Sequence, residues 1–312
     1  MTLSPANGPQ IPDATHPIYI LAMDHRDSLA KQVYDIPGDL TLAQAAQISD
    51  GKMLVFEGAA AALGDLPAAG RPGILVDERY GSAVARAARE RGFALIMPIE
   101  RSGRPFFELE FGDFGSGTWL EHVEAFDPDY VKVLLRDNPE FDAKDRQAQQ
   151  EHMAAVSRDL RKAGRKLIIE LLVPAAGEQK STDSDAYDRD VRPALTEQLI
   201  REFHTAGVEP EIWKLEGFET AEAAEKVAAV TREGQRDDVR CIVLGRNSSE
   251  EHLDTWLRTA APIEGFAGFA IGRSIWEQPL IDQLAGKIDA DGLRSAVKAS
   301  FTHYAKVYDA GR

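Results

Sequence analysis

Three charged residues stand inside apolar runs of this sequence. Lys132 lies in Val131-Lys132-Val133-Leu134-Leu135, Glu170 in Leu167-Ile168-Ile169-Glu170-Leu171-Leu172, and Lys214 in Ile212-Trp213-Lys214-Leu215. Charges rarely enter such runs without partners, because a buried ion loses its hydration. Two lysines and a carboxylate withdrawn from water form the group that Schiff-base chemistry needs. Desolvation and a second nearby cation both favour the neutral amine, which can attack a ketone. The resulting iminium accepts the electron pair of a breaking carbon–carbon bond, while a carboxylate moves the protons. A layer of structural ion pairs is the competing explanation for the same residues.

Such a group forms only if the three runs are neighbouring strands. Eight β-like runs can be read along the chain, over 18–23, 73–76, 94–98, 130–135, 166–173, 211–215, 239–244 and 266–271. Most are continuously apolar, as buried parallel strands should be. Helical patterns alternate with them over 41–62, 82–91, 143–163, 191–206, 220–233, 249–260 and 280–307, and several end at a glycine. The third connection, 99–119, is rich in Gly, Phe, Glu and Arg and reads as a long loop over a barrel mouth, followed by a short helix near 120–126. The order predicts an α/β fold, a single (β/α)8 TIM barrel over 1–312, with 1–16 a flexible tail. A two-domain doubly wound fold is the runner-up, weakened by the absence of a Gly-x-Gly-x-x-Gly turn after the first strand. Adjacent strands lie about 4.8 Å apart, so Lys132 and Lys214 would stand roughly 10 Å apart at the backbone with Glu170 between them.

In such barrels chemistry sits at the C-terminal strand ends. Those ends are dense in polar groups: Asp24, His25 and Arg26 after the first strand, Asp77 and Glu78 after the second, and Glu100 and Arg101 after the third. Gly245-Arg246-Asn247-Ser248 and Gly272-Arg273-Ser274 follow the seventh and eighth. The last two sites are where barrels commonly hold phosphate, through backbone N–H groups and a cation. The substrate and phosphate candidates are therefore Asp24, His25, Arg26, Asp77, Arg101, Gly245, Arg246, Asn247, Gly272 and Arg273. Of seven histidines only His25 falls at a strand end, too few for a zinc site. Carboxylates of the kind magnesium takes are present at Asp24, Asp77 and Glu78. No metal or cofactor is assigned.

The chain has 312 residues and a net charge of −15, which argues against nucleic acid or an anionic membrane as partner. A phosphorylated small molecule remains compatible, since arginines can hold an anion locally. The single cysteine, Cys241, sits in an apolar run and reads as a core residue. Nothing resembles a signal peptide or a membrane span, so the expected compartment is the cytoplasm. The composition is also compatible with a homo-oligomer.

The runs Ala22-Met23-Asp24-His25-Arg26, Val76-Asp77-Glu78-Arg79-Tyr80-Gly81, Trp213-Lys214-Leu215-Glu216 and Ala270-Ile271-Gly272-Arg273 resemble the tagatose-1,6-bisphosphate aldolase group of class I aldolases. The sequence is similar above all to the barrel domain fused to 5-dehydro-2-deoxygluconokinase in bacterial myo-inositol catabolism, from about Pro17 to Leu280. The resemblance implies Lys214 as the Schiff-base lysine, Glu170 as acid/base, Lys132 as helper, and Arg26 and Arg273 as substrate or phosphate contacts. It implies cleavage of 2-deoxy-5-keto-gluconate 6-phosphate to dihydroxyacetone phosphate and malonate semialdehyde. Where the tagatose enzymes have Asp-Gln-Arg, this chain has Asp24-His25-Arg26. Other readings are an aldolase for another ketose phosphate, such as tagatose bisphosphate or sulfofructose phosphate, and a sugar-phosphate-binding barrel without turnover.

Overall fold

The computed structural model describes residues 11–246 and 248–312. Each of the eight apolar runs forms a strand: β1 (Ile18–Ala22), β2 (Arg71–Leu75), β3 (Ala94–Pro98), β4 (Tyr130–Arg136), β5 (Leu167–Leu172), β6 (Ile212–Glu216), β7 (Arg240–Leu244) and β8 (Phe266–Ile271). All neighbours pair in parallel and in chain order, and β8 closes on β1. The fold is a (β/α)8 barrel. Closure leaves no sheet edge and replaces the doubly wound alternative.

The helices are α1 (Asp27–Gln32), α2 (Leu42–Ala61), α3 (Glu78–Glu90), α4 (Thr118–Phe126), α5 (Ala143–Lys162), α6 (Ser184–Ala186), α7 (Arg192–Thr205), α8 (Ala221–Thr231), α9 (Glu250–Ala260), α10 (Arg273–Leu284) and α11 (Ala290–Ala310). Side-chain oxygens cap many N-termini, as Thr41 does for α2, Thr220 for α8 and Ser249 for α9. Two expectations needed correction. The second crossover helix starts at Glu78 rather than 82, because the Asp77 carboxylate accepts from Tyr80 N and caps it there. The pattern over 280–307 is two helices, because Gly286 takes a positive φ of 70° after α10 and Asp289 caps a new start at α11. The expected tail over 1–16 falls partly outside the described residues. Within the described part, Asp13 accepts from the Thr15 and His16 amides and closes a turn.

Alternation along each strand sorts the side chains into two cores. One face, with Ile18, Ile20, Ile96, Tyr130, Ile168, Ile212 and Ile242, fills the barrel interior. The other packs beneath the helices and forms the larger apolar layer. Cys241 is buried in that outer layer. Among the described residues no helix is long and apolar enough to cross a membrane.

Candidate active site

Tyr130, Ile168 and Ile212 face the barrel interior. Two residues further on, Lys132, Glu170 and Lys214 therefore point the same way, toward the C-terminal mouth. Register staggers them. Glu170 stands opposite Lys214, whereas Lys132 stands opposite Ile168, one layer lower. The flexible lysine stem spans that layer. Lys132 Nζ reaches Glu170 Oε2 at 2.8 Å, and Lys214 Nζ reaches Glu170 Oε1 at 2.8 Å. Each oxygen of the central carboxylate thus holds one lysine.

The two lysines differ in their other neighbours. Asp24 Oδ2 lies 2.8 Å and Glu100 Oε1 2.7 Å from Lys132 Nζ. Lys132 is only 1% exposed. Burial alone would favour its neutral amine, but the three carboxylates outweigh burial and hold Lys132 well above the ordinary lysine range. Burial likewise opposes ionisation of Glu170, and Lys132 and Lys214 overcome it, holding that carboxyl at about 2. Asp24 is driven well below the carboxylate range, against burial, chiefly by Lys132. Lys214 has Glu170 as its one carboxylate partner among the described residues.

Lys132, Glu170 and Lys214 line a cavity of about 360 Å³. Asp24, His25, Arg26, Arg101, Gly245, Arg246, Gly272 and Arg273 line it too, so the structure brings nearly all the sequence candidates together. Asn247 lies outside the described residues. Asp77 is elsewhere. It is fully buried at the N-cap of α3, paired with Lys52, whose Nζ also donates to Met23 O at 2.7 Å and His25 O at 3.0 Å. Asp77 therefore anchors the segment that carries Asp24 and His25 instead of facing the cavity. His25 has no described partner for its buried Nδ1 and packs edge-on against Trp276 at 5.4 Å. Burial, aided by the charges of Arg273 and Lys52, pushes its imidazole down to about 4 despite the opposing charge of Asp24.

The arginines separate by partner. Arg26 is buried, 3.7 Å from Glu100 and 3.9 Å from Glu110. Arg246 is held by Asp188 at 2.7 Å and Glu216 at 2.9 Å. Asp188 is itself bound to the buried Arg192 at 3.0 Å. The segment before α7 thus supplies a buried clamp on Arg246. Arg101 is exposed and 3.7 Å from Glu108. Arg273 has no carboxylate partner among the described residues. It opens α10, whose N-cap residue Gly272 provides no side-chain cap. A Cβ on Gly272 would lie 2.6 Å from Ala22 O, so only glycine fits at this crossing.

Sequence reasoning passed over four residues. Glu100 was noted at a strand end but not assigned, although it is a direct partner of Lys132. Lys52 was hidden in a helix, where a charge inside Gly51-Lys52-Met53-Leu54-Val55 was the available signal. Arg104 and Arg136 also line the cavity. Arg136 ends β4 in phase with Lys132 and could have been found by counting in twos. Arg104 arrives on the loop after β3, which doubles back through the Glu100–Leu109 bridge, and no sequence rule would have foretold that turn.

A family model described as an uncharacterized protein conserved in bacteria (DUF2090) matches residues 10–312. No curated protein matches the chain in sequence. Among solved structures, Cgl0159 from Corynebacterium glutamicum (Brevibacterium flavum) is similar at a TM-score of 0.59 and 17% identity, over 94% of this chain and 89% of that one. A fructose-bisphosphate aldolase from Slackia heliotrinireducens is similar at a TM-score of 0.51 and 13% identity, over 91% of this chain and 86% of that one. At these identities the likeness is one of fold.

Proposed function

The chain belongs to the DUF2090 family, and from that premise we propose that it is a class I aldolase, a carbon–carbon lyase acting on a ketose phosphate through an imine on Lys214. One observation carries this reading. Two lysines share Glu170, yet Lys132 is held protonated by three carboxylates while Lys214 faces the cavity with one. A nucleophilic amine must shed its proton, which favours Lys214 over Lys132 for the role. The similarity to a fructose-bisphosphate aldolase fold is in keeping with the proposal.

In the proposed reaction Lys214 attacks the substrate ketone and loses water to give the iminium. Glu170 then takes the proton of the hydroxyl on the carbon β to it. The electron pair of the α–β carbon bond moves into the iminium, and the aldehyde leaves. Protonation of the enamine and hydrolysis release the second product and restore the amine. Glu170 suits the task because it is held ionised, and because its Oε1 loses the ammonium partner when Lys214 becomes an imine. Lys132 keeps the other oxygen oriented. Arg273 and the uncapped start of α10 suit the phosphate.

The finer reading follows the sequence resemblance: 2-deoxy-5-keto-gluconate 6-phosphate as substrate, dihydroxyacetone phosphate and malonate semialdehyde as products. Cleavage between its third and fourth carbons gives these two fragments. Borohydride reduction in the presence of dihydroxyacetone phosphate tests the class. The adduct should map to the peptide holding Trp213-Lys214-Leu215 and vanish in Lys214→Met. An adduct on Lys132, or none, would refute the proposal.

A further inference from the structure

Six arginines line the cavity: Arg26, Arg101, Arg104, Arg136, Arg246 and Arg273. Carboxylates answer four of them. Arg26 meets Glu100 and Glu110, Arg101 and Arg104 share Glu108, and Arg246 meets Asp188 and Glu216. Arg136 and Arg273 alone have no carboxylate partner among the described residues. Arg136 donates one long hydrogen bond, 3.4 Å, to the Arg104 carbonyl. An arginine turned into a polar cavity with its guanidinium uncompensated is suited to an incoming anion, which it can grip bidentately.

Their placement adds the decisive point. Arg136 ends β4 and Arg273 follows β8. In a closed eight-strand barrel of sequential order these two strands face each other across the mouth. Arg136 shares the inward phase of Tyr130 and Lys132 on its strand. Approach from opposite sides of the mouth suits a linear molecule with an anion at each end. Lys214, on β6, sits on the arc midway between the two, two strands from each.

We infer that Arg136 forms a second anion subsite, and that the cavity takes an open-chain substrate anionic at both ends, held between Arg136 and Arg273. The inference rests on the proposed aldolase reading for its orientation. Arg273 takes the phosphate, and Arg136 takes the terminal group of the fragment that leaves as aldehyde. Arg136 suits that end better than Arg26 or Arg101, each of which already has a carboxylate within 4 Å. Arg136 acts as a specificity residue and touches no bond that breaks.

Binding measured by calorimetry tests this without any turnover. The probes are 6-phosphogluconate, anionic at both ends, and glycerol 3-phosphate, anionic at one. Arg136→Met should weaken 6-phosphogluconate about tenfold or more, about 1.4 kcal/mol, and leave glycerol 3-phosphate unchanged. Arg273→Met should weaken both, and Arg136→Lys should recover part of the lost affinity. Thermal unfolding of each variant checks the fold. Equal loss of both probes in Arg136→Met, no loss of either, or no binding of 6-phosphogluconate by the unaltered protein would each overturn the inference. Failure of the Schiff-base reading would appear separately, as an absent borohydride adduct with this binding pattern intact.

Discussion

Removing Lys132 should damage the protein in a way that removing Lys214 does not. In Lys132→Met, Asp24 loses its one ion-pair partner among the described residues, at 2.8 Å. Glu100 keeps Arg26 at 3.7 Å, and Glu170 keeps Lys214 at 2.8 Å. The cost is therefore that of one orphaned buried carboxylate with its neighbours loosened, about 3–5 kcal/mol, and not three times that figure. Lys214→Met leaves Glu170 still bound to Lys132 at 2.8 Å. Only a charged hydrogen bond is lost, about 1.5–3 kcal/mol. Urea unfolding at pH 7 should place Lys132→Met clearly below Lys214→Met. The gap should also depend on pH. The depressed Asp24 and Glu170 carboxyls contribute stability that is complete above their ordinary values of 3.8 and 4.5 and is lost as pH falls toward their folded values. Lys132→Met abolishes most of that depression, so its deficit should shrink below about pH 4. Equal midpoints for the two variants at pH 7, or a deficit for Lys132→Met that grows on acidification, would refute the assignment of Lys132 as the locked lysine.

His25 offers a second pH test. Its folded value of about 4 lies below the ordinary 6.5, so the unfolded chain binds the extra proton first. Its contribution to stability is complete above pH 6.5 and is lost as pH falls toward 4. His25→Gln should flatten the urea midpoint across that window; an unchanged slope would show that another group titrates there. Asp77→Asn should keep the cap on α3 but strand the buried Lys52, lowering stability by about 3–5 kcal/mol. Calorimetry should find inorganic phosphate binding unchanged in that variant, and a large loss of binding would return Asp77 to the anion site.

The barrel was legible because its strands are buried on both faces and read as plain apolar runs. All eight appear within a residue or two of their observed positions, from Ile18 in β1 to Ile271 in β8. What eluded the sequence were features set by a few atoms. The early start of α3 depends on where one Asp77 oxygen points, and the break before α11 on one left-handed glycine. The short turns before α7 have no hydrophobic period to betray them. They are pinned by Tyr187 donating to Val173 O at 2.9 Å and by Asp188.

The candidate site divides along the same line. Charges inside strands were conspicuous because an apolar run makes them expensive, and period-two alternation then fixed their direction. Lys132, Glu170 and Lys214 needed no more than that. Which lysine has the fewer carboxylate partners was not in the strands at all. It depends on Asp24 and Glu100, separated from Lys132 by 108 and 32 residues and joined to it only by barrel closure and register. The arginines obey the same logic in reverse. Arginine type and strand-end position marked Arg26, Arg246 and Arg273 alike, yet their use depends on which carboxylates return to meet them. Glu110 comes from the loop after β3, and Asp188 from the turn before α7. Composition places acidic residues in excess over the whole chain, 51 against 36 basic ones. In so acidic a protein, a cavity arginine left without a carboxylate among the described residues is the exception, and on the proposed reading Arg136 and Arg273 are where an anionic substrate would meet the least competition.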